Sequence, residues 1–286
     1  MRYEAPETLD AAVALLAGAP GMARVMAGGT DLLVQLKADV SHPDMVVDIK
    51  RIGEMRQVKE EAGGFLVGAA VTGAEMKEHA KLKAAWPGLV EAANLIGSTQ
   101  VQGRATMGGN LCNGSPAADS VPAMIAAGAV AVIVGPGGRR ELAVEDVMLA
   151  PRKLALTKGE IVVAFKLPAR PAHAADAYVR FIPRTEMDIA VVGCGVSLTR
   201  DAAGKITAAR VGLGAVAARP LLVTAAADAI VGTSLDDAAL EKLAAAASAA
   251  CKPIDDKRGT IEFRTEVAGV MARRTAMIAY ERAGKR

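Results

Sequence analysis

The sequence predicts an α+β chain of more than one domain, and three observations carry that prediction. The first is a strand–helix–strand alternation over the opening stretch of roughly fifty residues, long enough for a crossover connection. The second is a change after residue 57 to short β-like runs separated by glycine, with helical patches between them. The third is a tail in which three β-like runs precede three helical ones, as a separate α+β unit would.

In chain order, Leu9, Val13, Leu15 and Leu16 follow Thr8 and predict an amphipathic helix over 8–17, which Gly18 and Pro20 stop. Arg24-Val25-Met26-Ala27 reads as a short buried strand running into Gly28-Gly29. Thr30 or Asp31 can cap a helix from Leu32 to Lys37, with Leu32, Leu33 and Leu36 as its apolar positions. Met45 to Ile49 is the next strand. Further strands are expected at Phe65–Val67, Val130–Val134 and Ile161–Phe165, with helices over 73–83, 88–96 and 119–127. Ala169 to Ala175 shows no periodicity and reads as a linker. Beyond it, strands are expected near 178–182, 190–198 and 207–215, then helices at about 219–231, 236–250 and 260–283. The expected division is 1–175, with subdomains of about 1–55 and 56–175, followed by 176–286.

Composition narrows the function. In 286 residues, 52% are hydrophobic and 23% charged, which supports a sizeable core and argues against disorder. Aromatics are 3%, so platforms for stacking bases are few. A net charge of +3, from 34 basic and 31 acidic residues, argues against nucleic acid or an anionic membrane as the main partner. The first residues lack the apolar stretch of a signal peptide, and no apolar run approaches a membrane span. Cys112, Cys194 and Cys251 form no C-x-x-C pair, which argues against a zinc or iron–sulfur site on this chain and suits reduced thiols. The expectation is a cytoplasmic protein with no metal site of its own.

Two glycine-rich segments carry the chemistry. In Val25-Met26-Ala27-Gly28-Gly29-Thr30-Asp31-Leu32 a strand delivers two glycines to a helix start, so bare backbone N–H groups face the positive end of the helix dipole. That suits a diphosphate, although it has neither the P-loop ending nor the Rossmann spacing, and a tight turn would need the same glycines. The second segment runs from Thr106-Met107-Gly108-Gly109-Asn110-Leu111-Cys112 through Asn113-Gly114-Ser115-Pro116-Ala117-Ala118 to Asp119. Its glycines allow close backbone approach, and Thr106, Asn110 and Ser115 can bond phosphate or ribityl oxygens. Asp119 suits a sugar hydroxyl, or equally a plain helix N-cap. Cys112 reads as a small space-filler. The three histidines, His42, His79 and His173, lie outside both segments and read as surface residues.

Together these segments resemble the flavoprotein medium subunit of carbon monoxide dehydrogenase and its relatives, and the FAD domain of xanthine dehydrogenase. Tyr178-Val179-Arg180-Phe181-Ile182-Pro183-Arg184-Thr185-Glu186-Met187-Asp188-Ile189-Ala190 is similar to the opening of that family's C-terminal domain. The resemblance covers essentially the whole chain. It implies a PCMH-type, vanillyl-alcohol-oxidase-like FAD-binding fold of two subdomains over 1–175, plus a C-terminal α+β domain over 176–286. It also implies non-covalent FAD, with Val25 to Leu32 around the diphosphate and Thr106, Gly108, Gly109, Asn110, Ser115 and Asp119 on phosphate, ribityl and ribose groups. Ile96 and Val163 match apolar contact positions. Arg180 matches a position often held by lysine, and Asp188 an acidic position that can serve as a structural cap.

The resemblance implies an electron-transfer subunit of a molybdenum hydroxylase. A large molybdopterin-binding subunit and a small iron–sulfur subunit with two-iron two-sulfur clusters would be its partners, in a dimer of heterotrimers. No catalytic side chain is expected here, because the flavin does the redox work. Two other readings stand beside it. A self-sufficient flavoenzyme of the same fold, such as the cell-wall precursor reductase, would need substrate-binding arginines and a general acid that the sequence does not display. A flavin-free assembly subunit would have no use for intact glycines in both segments. The basic end formed by Arg273, Arg274, Arg282, Lys285 and Arg286 reads as a solvated helix face or a docking edge.

Overall fold

The computed structural model describes residues 1–285. The chain opens with β1 (Arg2–Glu4), α1 (Leu9–Ala17), β2 (Ala23–Met26), α2 (Leu32–Lys37) and β3 (Met45–Asp48). These form a small parallel sheet in the order β1-β3-β2, so both crossovers are made by helices, as parallel pairing demands. The Thr8 hydroxyl accepts from Ala11 N and starts α1, which buries Leu9, Ala12 and Leu16. Every residue of β3 is buried. Asp31 occupies the N-cap position of α2, yet its side chain makes no capping bond.

The second unit begins with β4 (Val58–Glu61) and β5 (Gly64–Gly68). Helices follow: α3 (Gly73–Glu78), α4 (Ala80–Ala85), α5 (Pro87–Ala93), α6 (Thr99–Gln102), α7 (Met107–Cys112) and α8 (Ser120–Ala127). The chain then returns through β6 (Val130–Gly135), β7 (Gly138–Ala143), α9 (Val144–Val147), β8 (Met148–Ala150), β9 (Lys153–Leu154) and β10 (Ile161–Leu167). The sheet is antiparallel in the order β4-β5-β10-β6-β7, with the nearly all-buried β10 at its centre.

The helix expected over 73–83 is two helices. His79 breaks it with an extended backbone, and its Nδ1 accepts from Leu82 N at 3.1 Å, capping α4. The same ring packs edge-on against Phe65, so His79 is half-buried and not the expected surface residue.

The C-terminal part consists of β11 (Ala174–Phe181), β12 (Val192–Arg200), β13 (Ile206–Gly214), β14 (Leu221–Leu222), α10 (Thr224–Asp228), α11 (Asp237–Ala249) and α12 (Ile261–Gly284). The four strands form an antiparallel sheet in sequence order. One face carries α12, and the other receives α8 from the preceding unit. All eight residues of α8 are buried. A Cβ on Gly195 or Gly212 would lie 2.7 or 2.3 Å from the Pro122 carbonyl oxygen, so glycine is what lets the sheet approach α8. One core gathers residues such as Met76 and Phe165, and a second gathers Val196, Leu213 and Ala272.

Two expectations change here. The linker over 169–175 is shorter, because Ala174 and Ala175 already belong to β11. That strand begins Ala-Ala-Asp-Ala and is buried at all four positions, so it shows no period-two contrast to read. Within the remainder, the Arg170 guanidinium lies 3.7 Å from the Trp86 ring and pairs with Asp176 at 2.9 Å. The helix expected over 219–231 contracts to α10, since Leu221 and Leu222 pair with β13 instead. Among the described residues no helix is long and apolar enough to cross a membrane.

Candidate functional site

The β-α-β unit and the second unit meet at a cavity of about 210 Å³. Both glycine segments line it. On the first side, β2 delivers Val25, Met26, Ala27, Gly28, Gly29, Thr30, Asp31 and Leu32 to the wall. Gly29 has φ +79, the left-handed region that glycine occupies without strain. A Cβ on Gly28 would lie 1.8 Å from the Arg104 carbonyl oxygen, so the first segment rests directly on the backbone leading into the second.

The second segment is more helical than expected. Thr106 Oγ1 accepts from Gly109 N at 2.9 Å and caps α7, which takes up Met107 to Cys112. Gly108 is closed in, its Cβ position lying 2.5 Å from the Ala69 carbonyl oxygen. Gly109 is less confined: its Cβ would meet only Thr106 Oγ1, at 3.2 Å, a close contact with a side chain and not with backbone. One glycine therefore serves packing and the next presents bare backbone to the cavity. Asn110 faces the same space, but its Oδ1 accepts from Ser120 N and Ser120 Oγ at 3.0 and 2.7 Å.

Thr106, Gly108, Gly109, Asn110 and Ile96 thus join Val25 to Leu32 in lining one cavity. Four residues singled out with them lie off that wall. Ser115 Oγ accepts from Ala117 N at 3.2 Å in a local turn. Val163 is buried at a register shift of β10 against β6, and its carbonyl accepts from Ala69 N at 2.8 Å, while Ile161 and Val162 line the cavity. Asp119 makes no helix cap; its carboxylate accepts from Arg180 Nη1 at 2.7 Å and from the Tyr178 hydroxyl at 3.1 Å. Burial pushes the Asp119 carboxyl up, against the opposing pull of Arg180 and Tyr178. This pair joins α8 to β11 across the two cores. Asp188 accepts from Ile189 N at 2.8 Å, from the distant Arg258 at 3.1 Å and from Arg184 at 3.3 Å, and the backbone bond from Ile189, then Arg258 and Arg184, hold its carboxyl below the usual range.

The wall also holds residues the sequence did not single out, among them Arg24, Gln35, Asn113, Leu154, Leu156 and Glu160. Arg24 directly precedes the first segment, so a search for charge beside the glycines would have found it. Leu154, Leu156 and Glu160 come from a distant turn and carry no local signal. Hydrogen bonds from Arg140 hold the Glu160 carboxyl down at about 2, while burial alone pushes the Asp31 carboxyl up. Burial also pushes the Cys112 thiol, on the same wall, up to about 12, which makes it a neutral space-filler at physiological pH. Among the described residues no group of three His, Cys, Asp or Glu is placed to hold a metal ion.

Such a cavity has glycine backbone on two sides and an apolar strip of Ile49, Ile96, Leu154 and Leu156. It fits an elongated cofactor with a diphosphate and a flat apolar portion. Residues 1–170 match the family model of the FAD binding domain in molybdopterin dehydrogenase. The chain belongs to this family. Residues 177–279 match the CO dehydrogenase flavoprotein C-terminal domain. The chain is 35% identical over 281 residues to the carbon monoxide dehydrogenase medium chain of Afipia carboxidovorans, covering 98% of this chain and 97% of that one. It is 31% identical over 284 residues to the putative xanthine dehydrogenase FAD-binding subunit of Escherichia coli K12, with 99% and 97% covered. Its fold matches a chain of the reconstituted CO dehydrogenase from Oligotropha carboxidovorans at a TM-score of 0.94 and 35% identity, over 99% of this chain and 98% of that one.

Proposed function

We propose that this chain is the FAD-binding electron-transfer subunit of a multi-subunit molybdenum-containing hydroxylase or dehydrogenase. The observation that carries the proposal is the single cavity onto which both glycine segments converge, in a chain that belongs to the molybdopterin-dehydrogenase FAD family along its length. Bound FAD supplies reversible electron transfer. The chain's own residues bind and orient it. The backbone of Ala27 to Asp31 and of Gly108 and Gly109, which lines the cavity, would hold the phosphates, and Ile96, Leu154 and Leu156 would keep water from the flat portion. Ser115, Asp119, Val163 and Arg180 lie off this wall, and we assign them a supporting part in holding the cofactor.

An iron–sulfur subunit delivers electrons, a molybdopterin-binding subunit oxidises the substrate, and this chain passes the electrons to a terminal acceptor. We place the complex in the cytoplasm as a dimer of heterotrimers; relatives that are a medium chain and an FAD-binding subunit support a multi-subunit enzyme. We divide the chain into 1–175, with subdomains of about 1–55 and 56–175, and 176–286; two large clusters support a division close to residue 175, with Ala175 already in the second cluster and in β11, and one cluster spans both subdomains. The cofactor is held without a covalent bond, since no histidine lies on the cavity wall. The test is direct. Purified protein should be yellow, and acid precipitation should release all flavin into the supernatant. Colour retained in the pellet would overturn non-covalent binding, and a folded, colourless protein that takes up no added FAD would overturn the assignment.

A further inference from the structure

Among the described residues that line the cavity, Arg24 is the one basic side chain, and it belongs to neither glycine segment. Two carboxylates share the wall with it, Asp31 and Glu160. Lys50 lies near the first segment but is committed to Asp48 Oδ2 at 2.5 Å and to the Ala27 carbonyl at 3.1 Å. Glu160 is offset by Arg140, but a diphosphate brings about two further negative charges beside Asp31, which an additional cation on the wall would offset. Arg24 is placed to supply it. It is half-buried on β2, and its Nη2 donates to Gln35 Oε1 at 3.4 Å. Gln35 Nε2 donates in turn to Asn113 Oδ1 at 2.9 Å, which carries the connection to the C-terminal end of α7 in the second unit. All three residues line the cavity. The Arg24 charge also reaches the Cys112 thiol across the same space, opposing the effect of burial there.

We infer that Arg24 pairs with the diphosphate of FAD, and that Gln35 and Asn113 are positioning residues that hold its guanidinium at the cavity edge. The inference rests on the FAD assignment above. A guanidinium has five donors in a rigid fork that matches phosphate oxygens two at a time, and the bond to Gln35 occupies one of them. Backbone N–H groups alone would recognise the shape of the diphosphate. Arg24 adds charge, and with it a preference for FAD over riboflavin, which has no phosphate.

The experiment titrates FAD and riboflavin into the full chain stripped of flavin, following flavin fluorescence, for wild type, Arg24→Gln and Arg24→Lys. Arg24→Gln should weaken FAD about tenfold or more and leave riboflavin unchanged. Arg24→Lys should recover part of the loss, as a point charge does. Added salt should weaken FAD binding to wild type more steeply than to Arg24→Gln. Equal FAD affinity in wild type and Arg24→Gln would overturn the inference, as would an equal loss for both ligands, which marks a purely structural role. A wild-type chain that binds riboflavin and FAD equally would overturn it as well. Failure of folded wild type to bind FAD at all would overturn the FAD assignment itself, and this inference with it.

Discussion

Adjacent glycines in one motif do different jobs, and single substitutions separate them. Gly108 faces the Ala69 carbonyl at a distance no Cβ tolerates, whereas Gly109 faces the cavity. Gly108→Ala should therefore act as overpacking, costing about 1–3 kcal/mol of stability. Its unfolding midpoint in urea should fall even when FAD is absent. Gly109→Val should leave the flavin-free midpoint within about 1 kcal/mol of wild type, as β-branched propensity in a short helix allows, and lower FAD affinity about tenfold or more. Backbone strain is not the reason, because Gly109 lies in a helix at ordinary angles. Equal flavin content per protein in Gly109→Val and wild type would remove α7 from the binding site. Gly28 combines both roles, for its Cβ would strike the Arg104 carbonyl while its backbone lines the cavity.

At the scale of elements, caps and ion pairs fix the pieces that bear the site. Thr106 opens the second segment and starts α7 by accepting from Gly109 N. Thr106→Ala removes that cap and should cost about 1 kcal/mol, read as a lower midpoint in chemical denaturation. The turn that brings Leu154, Leu156 and Glu160 to the wall is tied by Arg140, whose Nε and Nη2 reach the two Glu160 oxygens at 2.6 and 2.8 Å. Glu160 titrates at about 2 in the folded chain, below its ordinary 4.5. A depressed carboxyl contributes stability that is fully present above about 4.5 and is lost as pH falls toward about 2. Arg140→Gln should therefore destabilise the protein at neutral pH, and the gap from wild type should narrow through that window. Urea midpoints measured at neutral pH and at successively lower values give the comparison. A gap independent of pH would show that the pair contributes nothing through charge.

Across the whole molecule, Asp119 and Arg180 join the two cores, and each is nearly enclosed, with side-chain exposures of 11% and 5%. Arg180→Ala would leave the Asp119 carboxylate buried without its counter-charge, at a cost of about 3–5 kcal/mol. Arg180→Lys keeps the charge and should retain most of the stability. Equal midpoints for Arg180→Ala and wild type would show that the lobes do not depend on this contact. The division of labour between subunits has its own test. Stopped-flow measurement should show no flavin bleaching when the parent enzyme's substrate meets this chain alone, and rapid bleaching in the full complex. Bleaching of the isolated chain at the rate of the complex would make it a self-sufficient oxidoreductase.

The sequence by itself determined the α+β class, most elements and the two glycine segments, because these rest on short-range physics. α2 was legible to the residue, since Leu32 to Lys37 is bounded by glycine, a capping position and a change of pattern. The start of β11 was not, because a strand covered on both faces and built from alanine has no alternation to display. Nor could the sequence divide labour within a motif. Gly108 and Gly109 are the same residue type and both line the cavity, and only the position of Ala69 makes Gly108 a backbone packing contact as well. Asp119 read equally as a ligand or a cap until folding set Arg180, from a different lobe, beside it. Arg24, Gln35 and Asn113 became one connected edge only because the β-α-β unit docks against α7. Local pattern specifies elements through periods and caps that neighbouring residues share. Which side chains face a common cavity depends on the docking of units distant in sequence, and that was decided by tertiary structure.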